Sequence, residues 1–227
     1  MRHHLGFSVA CIAVVTSGCA AETAQPSAAT ACIAAKGLPA PPAPAETTVT
    51  PDNTVDYALP MCPTGTVLKV ACPAAPTIEL HAFPQDAAHI GLPNAITYAD
   101  APPVAGDHRS EWAKWGEFQY LPPQRWLHNL EHGGVAILYD PCADPKLITN
   151  LRGLARCRPK GATGDFRWVM TPYAGLDTAW SIVAWQWRIK GNCFDATAID
   201  SFLTAHYDKG PESVAANGGW TVFWMGK

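Results

Sequence analysis

The sequence predicts an α+β fold: a mainly antiparallel sheet with a few short helices, forming a single domain behind a disordered tether. Three observations predict it. Strand-like and helix-like segments are mixed without regular β-α alternation, which argues against a doubly wound parallel sheet. Hydrophobic residues make up 48% of the 227-residue chain and charged residues only 15%, well under the usual share, so there is enough apolar material for a core. That material is unevenly spread. Positions 19–60 are rich in Ala, Pro and Thr and hold neither Phe nor Trp, whereas all nine tryptophans lie downstream.

The chain opens Met1-Arg2-His3-His4 and continues with an apolar stretch over 5–15. That stretch is too short to span a bilayer and has the proportions of a secretory leader. Thr16-Ser17-Gly18-Cys19 then sets small residues before a cysteine, as in a bacterial lipoprotein cleavage box. The expected organisation is a leader over 1–18 and a lipidated tether over 19–60, with acylated Cys19 inserted in membrane lipid. Pro39, Pro41, Pro42 and Pro44 keep the tether extended. A cysteine-stapled transition over 61–76 and a folded, histidine-rich domain over 77–227 follow. The expected location is the periplasmic or cell-surface side of a bacterial membrane. With a formal net charge of −3 and no Lys/Arg-rich run, nucleic acid is not an expected partner.

Within the folded domain, 77–83 (TIELHAF) alternates and reads as a strand, and 95–99 as another, ended by Pro102-Pro103. Pro122-Pro123 and Gly133-Gly134 bracket about two helical turns. The run GVAILY over 134–139 reads as a buried strand. Asp144 caps a helix that has Pro145 at its first position and Leu147, Ile148, Leu151 and Leu154 at helical spacing. Segments 166–171 and 179–189 are β-rich, and alternation puts Trp185 and Trp187 on one face. Asp195 caps a last helix with Ile199, Phe202, Leu203 and His206 on its apolar side.

Removing Cys11 with the leader and acylating Cys19 leaves Cys32, Cys62, Cys72, Cys142, Cys157 and Cys193. An even set in an oxidising compartment suits disulfides. Cys142 and Cys157 flank one helix and are the favoured pair; Cys62 with Cys72 comes second. No C-x-x-C spacing occurs, so neither a thiolate zinc cluster nor a thioredoxin-like site is supported.

Chemistry concentrates between His89 and His132. In R-W-L-H-N-L-E-H-G-G, His128 and His132 are four apart and share one helical face, so both imidazoles can reach one ion. His108 sits in a loop stiffened by Pro102 and Pro103, and His89 precedes Gly91-Leu92-Pro93. Such a mixture of loop and helix-end histidines suits a metal site, and imidazole serves zinc and copper alike. Glu131 is expected to orient a ligating histidine. Its other possible roles are general base on a metal-bound water and salt-bridge partner of Arg125. His206 and His81 read as structural.

The strings HIGLPNAITYADAPPVAGDH, WAKWGEFQYLPPQRWLHNLEHGGVAILYDPC and FLTAHYDKGPE resemble the bacterial family known as domain of unknown function 3105. The matching positions are His89, Tyr98, Pro102, Pro103, Gly106, His108, His128, Leu130, Glu131, His132, Gly133 and Tyr139. Ala105 departs from the serine frequent in that family. The resemblance runs from His89 to the C-terminus and supports adding His89 and His108 to the His128/His132 pair. It implies an exported or membrane-anchored domain and no established activity.

These residues lead to one expected function and two alternatives. The expected function is an exported, membrane-anchored lipoprotein that binds a transition metal through His89, His108, His128 and His132, for binding, storage or delivery to or from a partner protein. Copper is expected ahead of zinc, because Cu²⁺ outranks Zn²⁺ in the divalent series on such donors. The first alternative is a metal-dependent enzyme: a mononuclear copper oxidase or monooxygenase on the same ligands, or a zinc hydrolase built on the H-x-x-E-H string with Glu212 as a distant third ligand. The second is a tryptophan-rich module that binds a glycan or a protein partner, which requires exposed aromatics.

Overall fold

The computed structural model describes residues 62–66, 72, 75–81, 87–212 and 214–227. The expected leader, Cys19, the 19–60 tether and much of the 61–76 transition lie outside the described residues.

The described residues contain β1 (Thr77–Leu80), β2 (Gly116–Phe118), α1 (Pro123–Glu131), β3 (Val135–Tyr139), α2 (Pro145–Cys157), β4 (Trp168–Pro172), β5 (Trp180–Ala184), β6 (Trp187–Gly191), α3 (Ala196–His206) and β7 (Trp224–Gly226). The strands form one sheet in the order β1-β6-β5-β3-β4-β2-β7. Only β3 and β2 run parallel, each to β4; the other neighbours are antiparallel. This is the expected α+β class with a mostly antiparallel sheet.

Both faces of the sheet are covered, and β3 shows how. Its side chains alternate between two cores. Val135 and Ile137 pack with Leu147 and Leu151 of α2 and Phe202 of α3, and Ala136 and Leu138 pack with Trp126, Leu127 and Leu130 of α1. Asp144 caps α2 and Asp195 caps α3, each accepting a backbone N–H through its side chain. The α1 helix has no such cap and starts on Pro122-Pro123 instead. Nine residues are too few for a stable isolated helix, and α1 is held by burial of every residue from Gln124 to Glu131.

Several expectations need correction. Segment 95–99 is not a strand. Its surroundings are loop contacts: Asn94 O accepts from Arg109 Nη2 at 2.9 Å, and Tyr98 Oη donates to Asp107 O at 2.9 Å. The 179–189 run is two strands joined at Trp185-Gln186, with Gln186 in the left-handed region at φ 65°. The turn between them separates Trp185, in the α1-side core, from Trp187, which packs on the α2/α3 side. Strands β2 and β7 are three residues each and carry no alternation. The central residue of β2, Glu117, is a fully buried carboxylate held by Arg152 Nη2 of α2 at 2.7 Å.

The disulfides also differ. Cys62 pairs with Cys142 and Cys72 with Cys193, spanning 80 and 121 residues. Cys157 is disulfide-bonded as well. The favoured Cys142–Cys157 pair fails because α2 lies between them. Thirteen helical residues separate the ends by roughly 20 Å, whereas bridged Cα atoms lie within about 7 Å. Cys62 and Cys72 each clip the N-terminal segment to the domain instead of to each other.

Candidate metal centre

The site begins at the end of α1. Gly133 N donates to Leu130 O and Gly134 N to Asn129 O, with Gly133 at φ 78°. That paired geometry closes the helix and leaves His132 as its last capping residue. A Cβ on Gly134 would lie 2.5 Å from the Trp115 ring, so the turn also requires glycine for close packing. Asn129 fixes the neighbouring loop by bonding both backbone groups of Ala113, at 3.0 and 2.8 Å. The loop thereby sets Trp112 against His128 and His132, with ring centroids 4.9 and 4.4 Å away.

His89 and His108 arrive as a parallel bridge pair: Ile90 N donates to His108 O and His108 N to Ala88 O. Arg109 ties this bridge to α1 through its N–H to Gln124 O, and ties it to the 90–94 loop through its guanidinium. The His89 and His128 rings stack at 4.6 Å.

The imidazoles are oriented by backbone carbonyls. His108 Nδ1 lies 2.8 Å from Gly106 O, and His128 Nδ1 lies 2.8 Å from Arg109 O. A carbonyl only accepts, so each Nδ1 carries the hydrogen; the neutral His128 ring then presents an Nε2 lone pair, whereas His108 Nε2 faces a carboxylate that also only accepts. His108 Nε2 is 2.9 Å from Glu131 Oε2, His89 Nε2 3.5 Å and His128 Nε2 3.9 Å. His128 Nε2 is also 3.0 Å from His132 Nε2. Glu131 therefore stands on the Nε2 side of the rings, while carbonyls fill the orienting positions behind His108 and His128. Arg125, considered as its ion-pair partner, reaches Glu111 at 3.4 Å.

Burial pushes His128 down to about 4; the Arg109 carbonyl opposes this and the other three imidazoles add to it. Burial likewise lowers His132, against the pull of Glu212. For Glu131 burial acts upward but is outweighed by His108, and the carboxyl lies below its usual range. His128 and His132 are thus shifted toward the neutral form and Glu131 toward the carboxylate, the protonation states that metal ions require.

Glu212 joins from the far end of the chain. The segment after α3 folds back over the end of α1, where Asp208 N donates to Gly133 O and Glu212 N to Glu131 O at 3.0 Å. Gly210 permits this contact, since a Cβ there would sit 2.2 Å from Glu131 O. Glu212 Oε2 ends 3.1 Å from His132 Nε2. The sequence connected Glu212 only with the hydrolase string, because the distance is closed by packing and not by spacing. Two overlapping groups able to hold a metal ion result: His89, His108, His128 and Glu131, and His128, Glu131, His132 and Glu212. His206 lies apart, stacked on Trp187 at 4.1 Å, and His81 pairs with Glu79 and Asp100.

The family described as Protein of unknown function (DUF3105) matches residues 89–219. The chain belongs to the DUF3105 family. The DUF3105 span starts at His89 and encloses all six side chains of the cluster. Neither a curated protein nor a solved structure matches the chain.

Proposed function

We propose that this DUF3105 protein is an exported lipoprotein that binds a transition metal for storage or delivery, with copper ahead of zinc. The proposed ligands are His89, His108, His128, His132 and Glu131. The observation that carries this reading is the 3.0 Å approach of His128 Nε2 to His132 Nε2. His128 has its hydrogen on Nδ1, so its Nε2 directs a lone pair at a second buried imidazole, and a cation taken up there would be held by both rings in place of the hydrogen they share. Ligands held about 2.0–2.1 Å from a tetrahedral ion sit about 3.3 Å apart, and the contacts here run from 2.9 to 3.9 Å. Copper leads because imidazole and carboxylate donors favour Cu²⁺ over Zn²⁺ in the divalent series. A bound copper ion would supply one-electron redox chemistry and Lewis acidity.

Exchange with a donor or acceptor protein suits the layout. His89 and Glu212 have side chains 45% and 51% exposed, while His108, His128 and His132 form a buried floor. Cavities of about 470 and 370 Å³ open elsewhere, and no residue of the cluster lines either. None of the nine tryptophans is exposed, which removes the stacking platform a glycan module needs.

One observation favours a second reading, the H-x-x-E-H zinc hydrolase: Glu212 lies beside His132 as a third ligand would. In that reading Glu131 is a general base. Its engagement by His108 and His89, which then have no role, favours metal binding instead.

The test is equilibrium dialysis of the tag-free full chain against Cu²⁺ and Zn²⁺, followed by metal quantification. Retained copper that zinc does not displace supports the reading, and a chain that retains neither metal overturns it. Glu131→Gln separates the two readings. A ligand loses metal affinity, whereas a general base loses turnover and keeps its metal.

A further inference from the structure

We propose that the cluster holds two metal ions, bridged by the Glu131 carboxylate. The inference rests on the metal-binding reading above and adds a second ion to it.

The six donors do not form one shell. Those lying within 4.8 Å of one another fall into two quartets that share His128 and Glu131. Ligands bound at about 2.1 Å to a single ion lie no more than about 4.2 Å apart, so one ion in either quartet leaves the other two donors unused. Of the two shared residues, only one can serve two ions. His128 has Nδ1 committed to the Arg109 carbonyl and offers Nε2 alone. Glu131 has two carboxylate oxygens, and its contacts with His89, His108 and His128 all fall on Oε2, which leaves Oε1 to serve a second ion.

The contacts then divide the donors without remainder. His108 and His89 lie 2.9 and 3.5 Å from Glu131 Oε2 and form one side. His132 lies 3.0 Å from His128 and 3.1 Å from Glu212 and gathers the other. The 3.9 Å from His128 Nε2 to Glu131 Oε2 spans the junction. Each ion receives two imidazoles and a share of Glu131, and the second also receives Glu212. Carboxylate-bridged pairs of this kind sit about 3.5–4 Å apart. Charge agrees, since the ion-pair contacts of Glu131 and Glu212 at the cluster are with histidines and leave both carboxylates to face cations. The exposed His89 and Glu212 mark an entrance for each ion.

The experiment loads the tag-free full chain with Cu²⁺, removes excess ion and measures copper per chain together with the electron paramagnetic resonance spectrum. Two copper ions per chain with a spin-coupled signal are expected. His89→Ala and Glu212→Gln should each reduce the content to one copper with an ordinary uncoupled signal. Saturation of wild type at one copper overturns the two-ion centre and leaves the metal-binding reading standing. No retained copper or zinc overturns both. Two uncoupled copper ions place the second away from Glu131 and overturn the bridge. The wild-type measurements decide even if a variant fails to fold.

Discussion

Nδ1 of His128 faces a carbonyl, and that contact determines what Nε2 can do. A carbonyl also sits behind Nδ1 of His108, so both rings are oriented by backbone, His108 from its own loop at Gly106 and His128 from Arg109, 19 residues away. His206 shows the contrast. It is also a helix-end histidine lowered by burial, but it stacks on Trp187 and touches Phe202, and among the described residues it belongs to no group able to hold a metal ion. The two kinds of histidine should respond differently to truncation. His128→Ala or His132→Ala should lower copper affinity at least as much as the 10–100-fold typical for losing a group that only supports a ligand. Thermal melts of the metal-free protein should report an intact fold. His206→Ala should leave the affinity unchanged and cost about 1 kcal/mol of stability. Equal affinity in all three variants would remove His128 and His132 from the site.

The local elements were legible where spacing alone defines them. The Asp144-Pro145 cap, the GVAILY strand and the glycine stop after His132 all stand where the sequence places them. What spacing does not encode was lost. Strand β2 is hidden because its central Glu117 is neutralised by Arg152, and Glu212 reaches the site through packing of the 208–212 segment on α1. The edge strand β1 stands where the sequence places it, but alternation does not show what holds it. Its apolar Ile78 and Leu80 are exposed, and its attachment to β6 runs through Glu79, which meets Arg188 Nε at 3.0 Å and Lys190 Nζ at 2.9 Å. Burial acts to raise the Glu79 carboxyl, but the bonds from Lys190 and Arg188 prevail and hold it at about 2, below its ordinary 4.5. A depressed folded-state value means stability that is complete above about 4.5 and lost as pH falls toward about 2. Glu79→Gln should therefore destabilise the protein at neutral pH by up to about 1 kcal/mol. The melting difference from wild type should shrink through that acid window, and a difference that stays constant with pH would assign the effect to packing.

Covalent attachments decide how the domain relates to the rest of the chain. The Cys62–Cys142 and Cys72–Cys193 bridges each join residues before β1 to the folded core, one beside α2 and one before α3. Opening the second with Cys72→Ser and Cys193→Ser should cost about 2–4 kcal/mol, read from denaturant unfolding. Labelling of unreduced, denatured wild type should find no thiol among Cys62, Cys72, Cys142, Cys157 and Cys193. Free thiols at those positions would remove the bridges. The Ala/Pro/Thr-rich stretch over 19–60 is the proposed spacer between membrane and metal site. Lipid on Cys19 would keep the site near the surface where a donor or acceptor protein could exchange ions with it. An amide- or thioether-linked acyl set buries many methylenes at about 0.8 kcal/mol each, and stable anchoring takes more than one chain. Loss of the acylated thiol should therefore be all-or-none in its effect. Cys19→Ser should abolish incorporation of labelled fatty acid and move the protein from the membrane fraction to the soluble one, with copper content per chain unchanged. A Cys19→Ser protein that still sediments with membranes and still takes up label would overturn the anchor, whereas one that is released and also loses its copper would tie metal loading to the membrane itself.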